Sequence, residues 1–296
     1  MVGNEVVDSE GKEKMEMLVQ DILSKRELST LEPEFALPKV KRFLEQNRKI
    51  RLKFEDSDYP KFRKSKEFKA IVKDVRAELR KVYGVFVLES AKKREKLLEN
   101  LKDDPSLENH DKILETHQSS KERIPIYSVV YKKIFSITSE PKFIVDLACG
   151  LNPVSYPYLQ CTPRYVASDV SEKDMEFLNR FFSQARIDGK AIGLDLMKDH
   201  AKVEELCKGA DVVFLFKALD SLEAIKRNSS EKLMDSIIES DTKYIVVSFA
   251  TKSIGGKKDI RKEKRAWFEK MMKRKGFSDE VIDLSGETFY VLKVKG

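Results

Sequence analysis

Three aspartates, each at or near the end of a short apolar run, could together hold a nucleoside-like ligand. Asp146 lies in "FIVDLACG", Asp169 ends "YVASD" and Asp195 lies in "IGLDL". A turn containing Gly150 follows the first run, and a glycine there lets the backbone approach a ligand closely. At the carboxyl end of a parallel strand, a carboxylate can accept hydrogen bonds from ribose hydroxyls or an amino group. The spacing therefore favours a nucleoside-type cofactor site.

The elements that must position these acids are short apolar runs that alternate with amphipathic segments. This alternation predicts an α/β fold with a largely parallel sheet covered by helices on both faces. Only Ser285–Thr288 separates the last two runs, which is too short for a crossover helix, so those two should form an antiparallel hairpin. The seven runs are Phe143–Leu147, Tyr165–Ser168, Ala191–Leu196, Asp211–Phe216, Tyr244–Phe249, Val281–Leu284 and Phe289–Val294.

A seven-stranded sheet that ends in a hairpin is typical of Rossmann-like class I S-adenosyl-L-methionine (SAM) methyltransferases. An NAD-dependent oxidoreductase is disfavoured because the chain lacks a Gly-x-Gly-x-x-Gly motif. In the expected SAM pocket, Asp169 would accept the ribose hydroxyls and Asp195 the adenine amino group. Asp146 would meet backbone amides or the cofactor's ammonium, and Ala148 stands where many nucleotide folds have a first glycine. Taken singly, each acid could instead be a helix N-cap.

The first 115 residues show helical periodicity and no strand alternation. Apolar residues at helical spacing predict segments near 12–28, 38–54, 66–83 and 84–102. Four prolines punctuate these segments, namely Pro33, Pro38, Pro60 and Pro105. We predict a helical domain over residues 1–115 and a methyltransferase domain over residues 116–296.

Positive charge is concentrated in two blocks. Residues 39–81 carry 16 Lys and Arg against 7 Asp and Glu, and residues 252–275 carry 11 against 3, although the net charge of the chain is only +7. Two separate basic blocks favour a polyanionic partner, here structured RNA rather than DNA; the alternative is solvated helix faces. The predicted RNA-binding residues are Arg48, Lys49, Arg51, Lys53, Lys61, Arg63, Lys64, Lys252, Ser253, Lys257, Lys258 and Arg261.

Other sequence features narrow the class of protein. No apolar run approaches the roughly 20 residues of a membrane helix, and the acidic, polar first residues do not form a secretory signal. The three cysteines are scattered, so reduced thiols are expected rather than disulfides or a metal site. These features predict a cytoplasmic protein without a membrane partner.

The methyl acceptor is limited by which motifs the chain lacks. The fourth run ends "FLFKALDS", without the Asn/Asp-Pro-Pro-aromatic turn typical of exocyclic amine methylation. Cys161 lies between the first and second runs, away from the place where cytosine carbon-5 methylation needs a cysteine nucleophile. A nucleophile with an in-plane lone pair remains, such as guanine N7 or adenine N1. Such an acceptor needs alignment with the methyl group but no obligatory general base.

Five segments together resemble the aminoglycoside-resistance 16S rRNA guanine-N7 methyltransferases. The resemblance covers roughly Glu115 to Lys293, while the first 110 residues share only a helical, basic character. The segments are "HQSSKERIPIY" (His117–Tyr127), "VDLACGLNPVS" (Val145–Ser155), "FLFKALDSLE" (Phe214–Glu223), "VVSFATKSIGG" (Val246–Gly256) and "GETFYVLK" (Gly286–Lys293).

The resemblance implies SAM as cofactor and a decoding-site guanosine of the assembled small ribosomal subunit as target. It implies that His117, Ser120 and Arg123 border the methionine end of SAM, with Arg123 pairing its carboxylate. The same resemblance implies that Gly150 contacts the methionine part of SAM, Asp169 the ribose, and Asp195 with Leu196 the adenine. It also implies that Phe216 and Lys217 lie where the target base enters and that the Thr251–Lys258 loop contacts the rRNA.

Alternatives remain open at this level. Ser119 and Glu122 could form a capping box for the next helix, which would fix the direction of Arg123. Asp220 and Ser221 stand where the family commonly has Pro-Cys. Three alternatives to decoding-site methylation for resistance therefore remain. The chain could be a relative that does not confer resistance, it could perform the same chemistry on tRNA, or it could be a SAM-binding RNA module without turnover.

Overall fold

The chain forms two compact units, Met1–Val85 and Phe86–Gly296. The computed structural model describes residues 3–29, 31–80, 88–89, 91–252, 259–260 and 262–294. The boundary between the two units lies earlier in the chain than the boundary predicted near residue 115, because the helices after residue 90 pack with the helices and strands of the second unit. Gln184, for example, donates a side-chain hydrogen bond to the carbonyl of Leu98 at 2.8 Å.

The first unit is helical among its described residues. Edge-to-face contacts between Phe62 and both Phe54 and Phe68 lie in its core. The predicted helix over residues 38–54 is two helices separated at Asn47, and Pro38 lies inside the first of them rather than between helices. The helices are α1 (Gly3–Leu23), α2 (Pro33–Gln46), α3 (Arg48–Asp56), α4 (Tyr59–Arg63) and α5 (Lys66–Leu79).

The second unit contains a seven-stranded sheet in the order β3-β2-β1-β4-β5-β7-β6. The first five strands are parallel, and β7 runs antiparallel to both β5 and β6. This confirms the predicted α/β class and the terminal hairpin. The strands are β1 (Phe143–Leu147), β2 (Arg164–Asp169), β3 (Gly189–Gly193), β4 (Val212–Phe216), β5 (Tyr244–Ala250), β6 (Asp279–Leu284) and β7 (Glu287–Lys293).

Helices cover both faces of the sheet. Alternate residues of β1 point to opposite faces, so Ile144 joins one apolar cluster and Val145 the other. The cluster around Ile144 includes residues of α6, α7, α9 and α10, and the cluster around Val145 includes residues of α11 to α14. Their ranges are α6 (Ala91–Asp103), α7 (Leu107–Leu114), α8 (Gln118–Arg123), α9 (Tyr127–Thr138), α10 (Glu172–Ala185), α11 (His200–Cys207), α12 (Leu219–Ile225), α13 (Ser229–Ile238) and α14 (Ala266–Arg274).

One strand differs from its sequence-based bounds. The third strand was expected over Ala191–Leu196, but β3 spans Gly189–Gly193, so Asp195 lies two residues beyond it. Strand β3 is the edge strand on its side of the sheet and pairs only with β2. Among the described residues, no helix is both long and apolar enough to cross a membrane.

Candidate active site

The turn after β1 brings Gly150 against the acid at the end of β2. The Gly150 amide donates to Asp169 Oδ2 at 2.9 Å, and the Val170 amide donates to Asp169 Oδ1 at 2.7 Å. Ala148 and Gly150 both have φ of 52°, a left-handed conformation that is cheap for glycine and strained for alanine. The geometry therefore joins two residues that the sequence assigned to one pocket.

The carboxyl group of Asp169 titrates unusually high for an aspartate. Burial raises its pKa to about 6, the nearby Asp174 charge adds to the rise, and the Gly150 amide opposes it. The residue is half-buried, and both of its carboxylate oxygens accept hydrogen bonds from backbone amides. A hydroxyl donor would favour its ionised form.

His117 packs directly on the glycine turn. A Cβ atom added to Gly150 would lie 2.7 Å from His117 Cε1, closer than side-chain atoms approach each other. His117 is buried, and this burial, with the charges of Arg94, Arg123 and Lys217, lowers the pKa of the imidazole to about 3. The ring is therefore neutral at physiological pH.

Asp146 is held in the core beneath this turn. Its Oδ2 accepts from Asn152 Nδ2 at 2.9 Å and from the Tyr165 hydroxyl at 2.7 Å. The residue is fully buried, and burial raises its pKa to about 6. These contacts differ from the expected contact with backbone amides or with the ammonium of a ligand. Through Asn152, Asp146 instead supports the side chain of Arg123, whose Nη1 donates to Asn152 Oδ1 at 3.4 Å.

Arg123 and Glu287 form a buried ion pair across the sheet edge. Arg123 Nε lies 2.9 Å from both carboxylate oxygens of Glu287, and each side chain is 2% exposed. Burial alone would lower the pKa of Arg123, but the Glu287 carboxylate outweighs it and raises that pKa. Nε of Arg123 is thus engaged with Glu287, and among the described residues Nη2 has no hydrogen-bond partner, so Nη2 is the donor left for the carboxylate of a ligand.

Lys217 extends this pair into a chain of alternating charges. Its Nζ lies 2.7 Å from Glu122 Oε2 and 3.2 Å from Glu287 Oε2. Glu122 therefore does not form the capping box that the sequence suggested with Ser119. The N-terminus of α8 is at His117, and no side chain caps it. Glu122 also accepts from Gln118 Nε2 at 2.6 Å.

Phe216 is packed rather than open to an incoming base. Its ring stacks on Phe214 with centroids 4.7 Å apart and meets Phe289 edge-on at 5.4 Å. The Arg123 guanidinium lies 5.0 Å from the ring centroid. Phe216 therefore supports Arg123, and its packing leaves little of its ring open to the entering base that the resemblance places there.

The two residues expected at the adenine lie in environments that differ from each other. Asp195 Oδ1 accepts from the Met197 amide at 3.0 Å, and its Oδ2 lies 3.1 Å from Lys198 Nζ. These contacts close the turn after β3; Asp195 is not a helix N-cap, because α11 begins at His200 and its N-cap is Asp199. Leu196 is 5% exposed and joins the cluster around Val145.

Several buried polar atoms near the turn have no hydrogen-bond partner within the described part of the chain. They belong to residues on α6, α8, β1 and β2 that are at most 2% exposed. Buried polar groups are normally paired, so their concentration around the carboxyl ends of β1 and β2 fits a polar ligand. The atoms are Arg94 Nη2, Arg123 Nη2, Asp146 Oδ1 and Ser168 Oγ. Ser120, expected at the same ligand, is also buried.

Sequence reasoning missed Glu287 and Arg94 as parts of this site. Glu287 is the first residue of an antiparallel strand, opposite Ala250 at the end of β5. An acidic residue that opens an apolar strand at that edge was the available signal. The sequence contains no comparable signal for Arg94, because the basic sequence of α6 predicts that its charged side chains are exposed to solvent.

The expected RNA-binding residues of the first unit are all exposed on α3, α4 and the turn after α4. Three of them have acidic neighbours: Arg51 lies 3.6 Å from Glu55, Lys53 lies 3.8 Å from Glu67, and Arg63 lies 2.8 Å from Asp21. In the second unit Lys252 is exposed, and its backbone pairs with that of Asp259 in an isolated antiparallel β-bridge. Ser253, Lys257, Lys258 and Arg261 lie outside the described residues.

The family model for ribosomal RNA methyltransferase (FmrO) matches residues 64–291. A 16S rRNA (guanine(1405)-N(7))-methyltransferase of Micromonospora rosea is 29% identical over 231 residues, which cover 75% of this chain and 81% of the relative. A methyltransferase of the same name from Proteus mirabilis is 26% identical over 206 residues, which cover 64% of this chain and 71% of the relative. Among solved structures, the 16S rRNA methyltransferase RmtF in complex with S-adenosyl-L-homocysteine has a TM-score of 0.75, with 22% identity over 96% of this chain and 99% of that one.

Proposed function

The chain belongs to the ribosomal RNA methyltransferase (FmrO) family, and from this premise we propose that it methylates guanine N7 at the decoding region of 16S rRNA with SAM as methyl donor. The observation that carries the proposal is the hydrogen bond between Gly150 and Asp169 at the carboxyl edge of the sheet. It joins the glycine turn to an acid placed for a nucleoside, and the buried polar atoms around it suit a zwitterionic ligand. The enzyme acts in the cytoplasm, where small ribosomal subunits are available.

On the cofactor side, each residue has a role that follows from its contacts. Asp169 accepts the ribose hydroxyls, since its carboxylate is only half-buried and gains by charge-assisted hydrogen bonds. His117 and Gly150 form the wall at the methionine end. Arg123 offers Nη2 to the carboxylate while Glu287 fixes its orientation. Asp195 lies at the adenine end, after β3.

On the target side, the chemistry requires charge compensation rather than proton transfer. SAM supplies an electrophilic methyl group, and its transfer leaves the positive charge on the guanine ring. Guanine N7 attacks with a lone pair in the plane of the ring, so no residue need remove a proton. Glu122 and Glu287 together balance the charges of Lys217 and Arg123, so a purine that becomes cationic meets a nearly neutral surface. Lys217 positions the base through its ammonium group.

RNA binding in this proposal rests on backbone phosphates. Arg48, Lys49, Lys61 and Lys64 of the first unit are exposed, and no ion pair is seen for them among the described residues. Such side chains release counterions when they bind phosphate, so affinity falls steeply with salt. Lys252, Ser253, Lys257, Lys258 and Arg261 supply further contacts from the segment after β5.

The test is incubation of the purified chain with labelled SAM and three substrates in parallel: small ribosomal subunits, naked 16S rRNA and tRNA. Nucleoside mass spectrometry then identifies the product. We expect 7-methylguanosine from small subunits and little label in tRNA. Label confined to tRNA, or a different methylated nucleoside, would refute the proposal. Binding of SAM without transfer to any RNA would indicate a binding module instead.

Charge-reversal variants test the RNA contacts separately from the chemistry. Lys61→Glu with Lys64→Glu should weaken subunit binding at least tenfold at moderate salt and leave SAM affinity unchanged. The matched control reverses two exposed lysines of the sheet unit, Lys190→Glu with Lys208→Glu, which changes the net charge equally. Equal losses in both pairs would show that only net charge matters and would contradict a specific surface on α3 and α4.

A further inference from the structure

A second buried arginine, Arg94 of α6, lies beside the site and has no role in the proposed function. It is 2% exposed, and its Nη1 lies 2.6 Å from Asp174 Oδ1 in α10. Its Nε donates to Thr116 Oγ1 at 3.1 Å. Nη2 has no partner among the residues that the structure describes. A buried ion pair of this kind seldom adds net stability compared with apolar side chains of similar size, which leaves room for another role.

The two partners of Arg94, Thr116 and Asp174, are each close in sequence to a residue that contacts the glycine turn. Thr116 directly precedes His117, whose ring packs on Gly150. Asp174 lies in the first turn of α10, where its amide donates to the N-cap hydroxyl of Ser171 at 3.3 Å. That helix follows β2, so its first turn stands next to the acid that ends the strand. One rigid, planar guanidinium thus sets the spacing between the histidine wall and the start of α10.

We propose that Arg94 is a positioning residue of the cofactor pocket, which holds His117 through Thr116 and the first turn of α10 through Asp174. The inference rests on the proposed function, because it assumes that SAM binds at this turn. In this arrangement Arg94 fixes the width of the pocket between the methionine end and the ribose end. Its remaining Nη2 group is a buried donor for an oxygen of the same ligand.

The pairing also has an electrostatic consequence at Asp169. The groups that act on Asp169 are the amides of Gly150, Val170 and Ser171, which lower its pKa, and burial and the Asp174 charge, which raise it. Removing the charge of Asp174 should therefore lower the pH at which Asp169 ionises. A variant that removes Arg94 as well leaves the net charge near Asp169 unchanged.

The test uses the full chain with the double substitution Arg94→Met and Asp174→Leu, which replaces the pair by apolar side chains of similar size. Binding of S-adenosyl-L-homocysteine is measured by calorimetry between pH 5 and pH 8, together with the melting temperature without ligand. We expect a folded protein, at least tenfold weaker binding at pH 8, and a midpoint for the pH dependence of affinity close to that of the wild type, because one positive and one negative charge are removed together. Arg94→Lys, which keeps the charge but cannot bridge two acceptors in a fixed plane, should weaken binding similarly.

The same two helices offer a matched control. Arg180 of α10 and Glu95 of α6 form an exposed ion pair at 2.5 Å, so Arg180→Met with Glu95→Leu removes the same groups without touching the pocket. This control should bind like the wild type. The proposal is overturned if the Arg94 variants bind with wild-type affinity, or if the control pair loses as much. A wild-type chain that binds no cofactor would instead refute the proposed function, while loss of folding in the double variant leaves the decision to Arg94→Lys.

Discussion

Cofactor affinity should depend on pH through a single carboxyl group, that of Asp169. Its pKa of about 6 without ligand lies well above the usual value of 3.8. Ribose hydroxyls donate to the ionised form, so binding must drive off the proton at low pH. Affinity is therefore highest above about pH 7 and falls as pH drops through 6, by about tenfold between pH 8 and pH 5. A proton should be taken up on release of the ligand near pH 5.5.

Replacing the carboxylate by an amide isolates this effect. Asp169→Asn loses a charge-assisted hydrogen bond worth about 1.5–3 kcal/mol, or roughly ten- to a hundredfold in affinity at pH 8, and its binding curve should be flat between pH 5 and pH 7. Calorimetry with S-adenosyl-L-homocysteine in buffers of different ionisation enthalpy gives both the affinity and the proton count. Asp146→Asn is the comparison: Oδ2 of Asp146 contacts Asn152 and Tyr165, so the pH dependence of binding should persist in this variant whether or not its affinity falls. A flat wild-type curve, or a pH dependence that survives Asp169→Asn, would refute the reasoning.

Three other predictions test the frame of the site. Because its raised pKa favours the neutral form, Asp146 should lower stability without ligand by up to about 3 kcal/mol as pH rises from 4 to 7, in addition to the fall that the raised pKa of Asp169 causes; urea denaturation of Asp146→Asn should show a smaller fall. Gly150→Ala should lower the melting temperature and cofactor affinity, and adding His117→Ala should restore part of the melting temperature by removing the contact at 2.7 Å. Glu287→Gln leaves the Arg123 guanidinium buried without its counter-charge, so the free energy of unfolding should drop by about 3–5 kcal/mol, and a loss below 1 kcal/mol would contradict that account.

The sequence predicted the sheet well where strands are buried on both faces. Runs such as Phe143–Leu147 are continuous and apolar, and their bounds agree with β1. The prediction was wrong at the third strand, because "GKAIG" in Gly189–Gly193 has two glycines and lies at an edge, where only one face is well covered. Helical periodicity also continued through Asn47, so the break between α2 and α3 could not be read from spacing.

The site was predictable only in its local part. Gly150 and Asp169 are neighbours because consecutive parallel strands end at one edge, which the order of elements already implies. Arg123 meets Glu287 across 164 residues, and Arg94 meets Asp174 across 80. No periodicity encodes such pairs, since they depend on where β7 and α10 come to lie. The basic sequence of α6 instead suggested exposure, whereas Arg94 is buried.

Backbone strain at Lys217 supports the role that we propose for it in placing the target base. Lys217 has φ of 57°, a conformation that costs free energy for any residue with a side chain. It persists because its amide donates to both the carbonyl and the hydroxyl of Ser248, while two carboxylates bind its ammonium group. A glycine at this position would form the same turn without strain but would have no ammonium group to place. The side chain is thus retained at an energetic cost and fixed at both ends, which is expected of a group that must meet a substrate in one orientation.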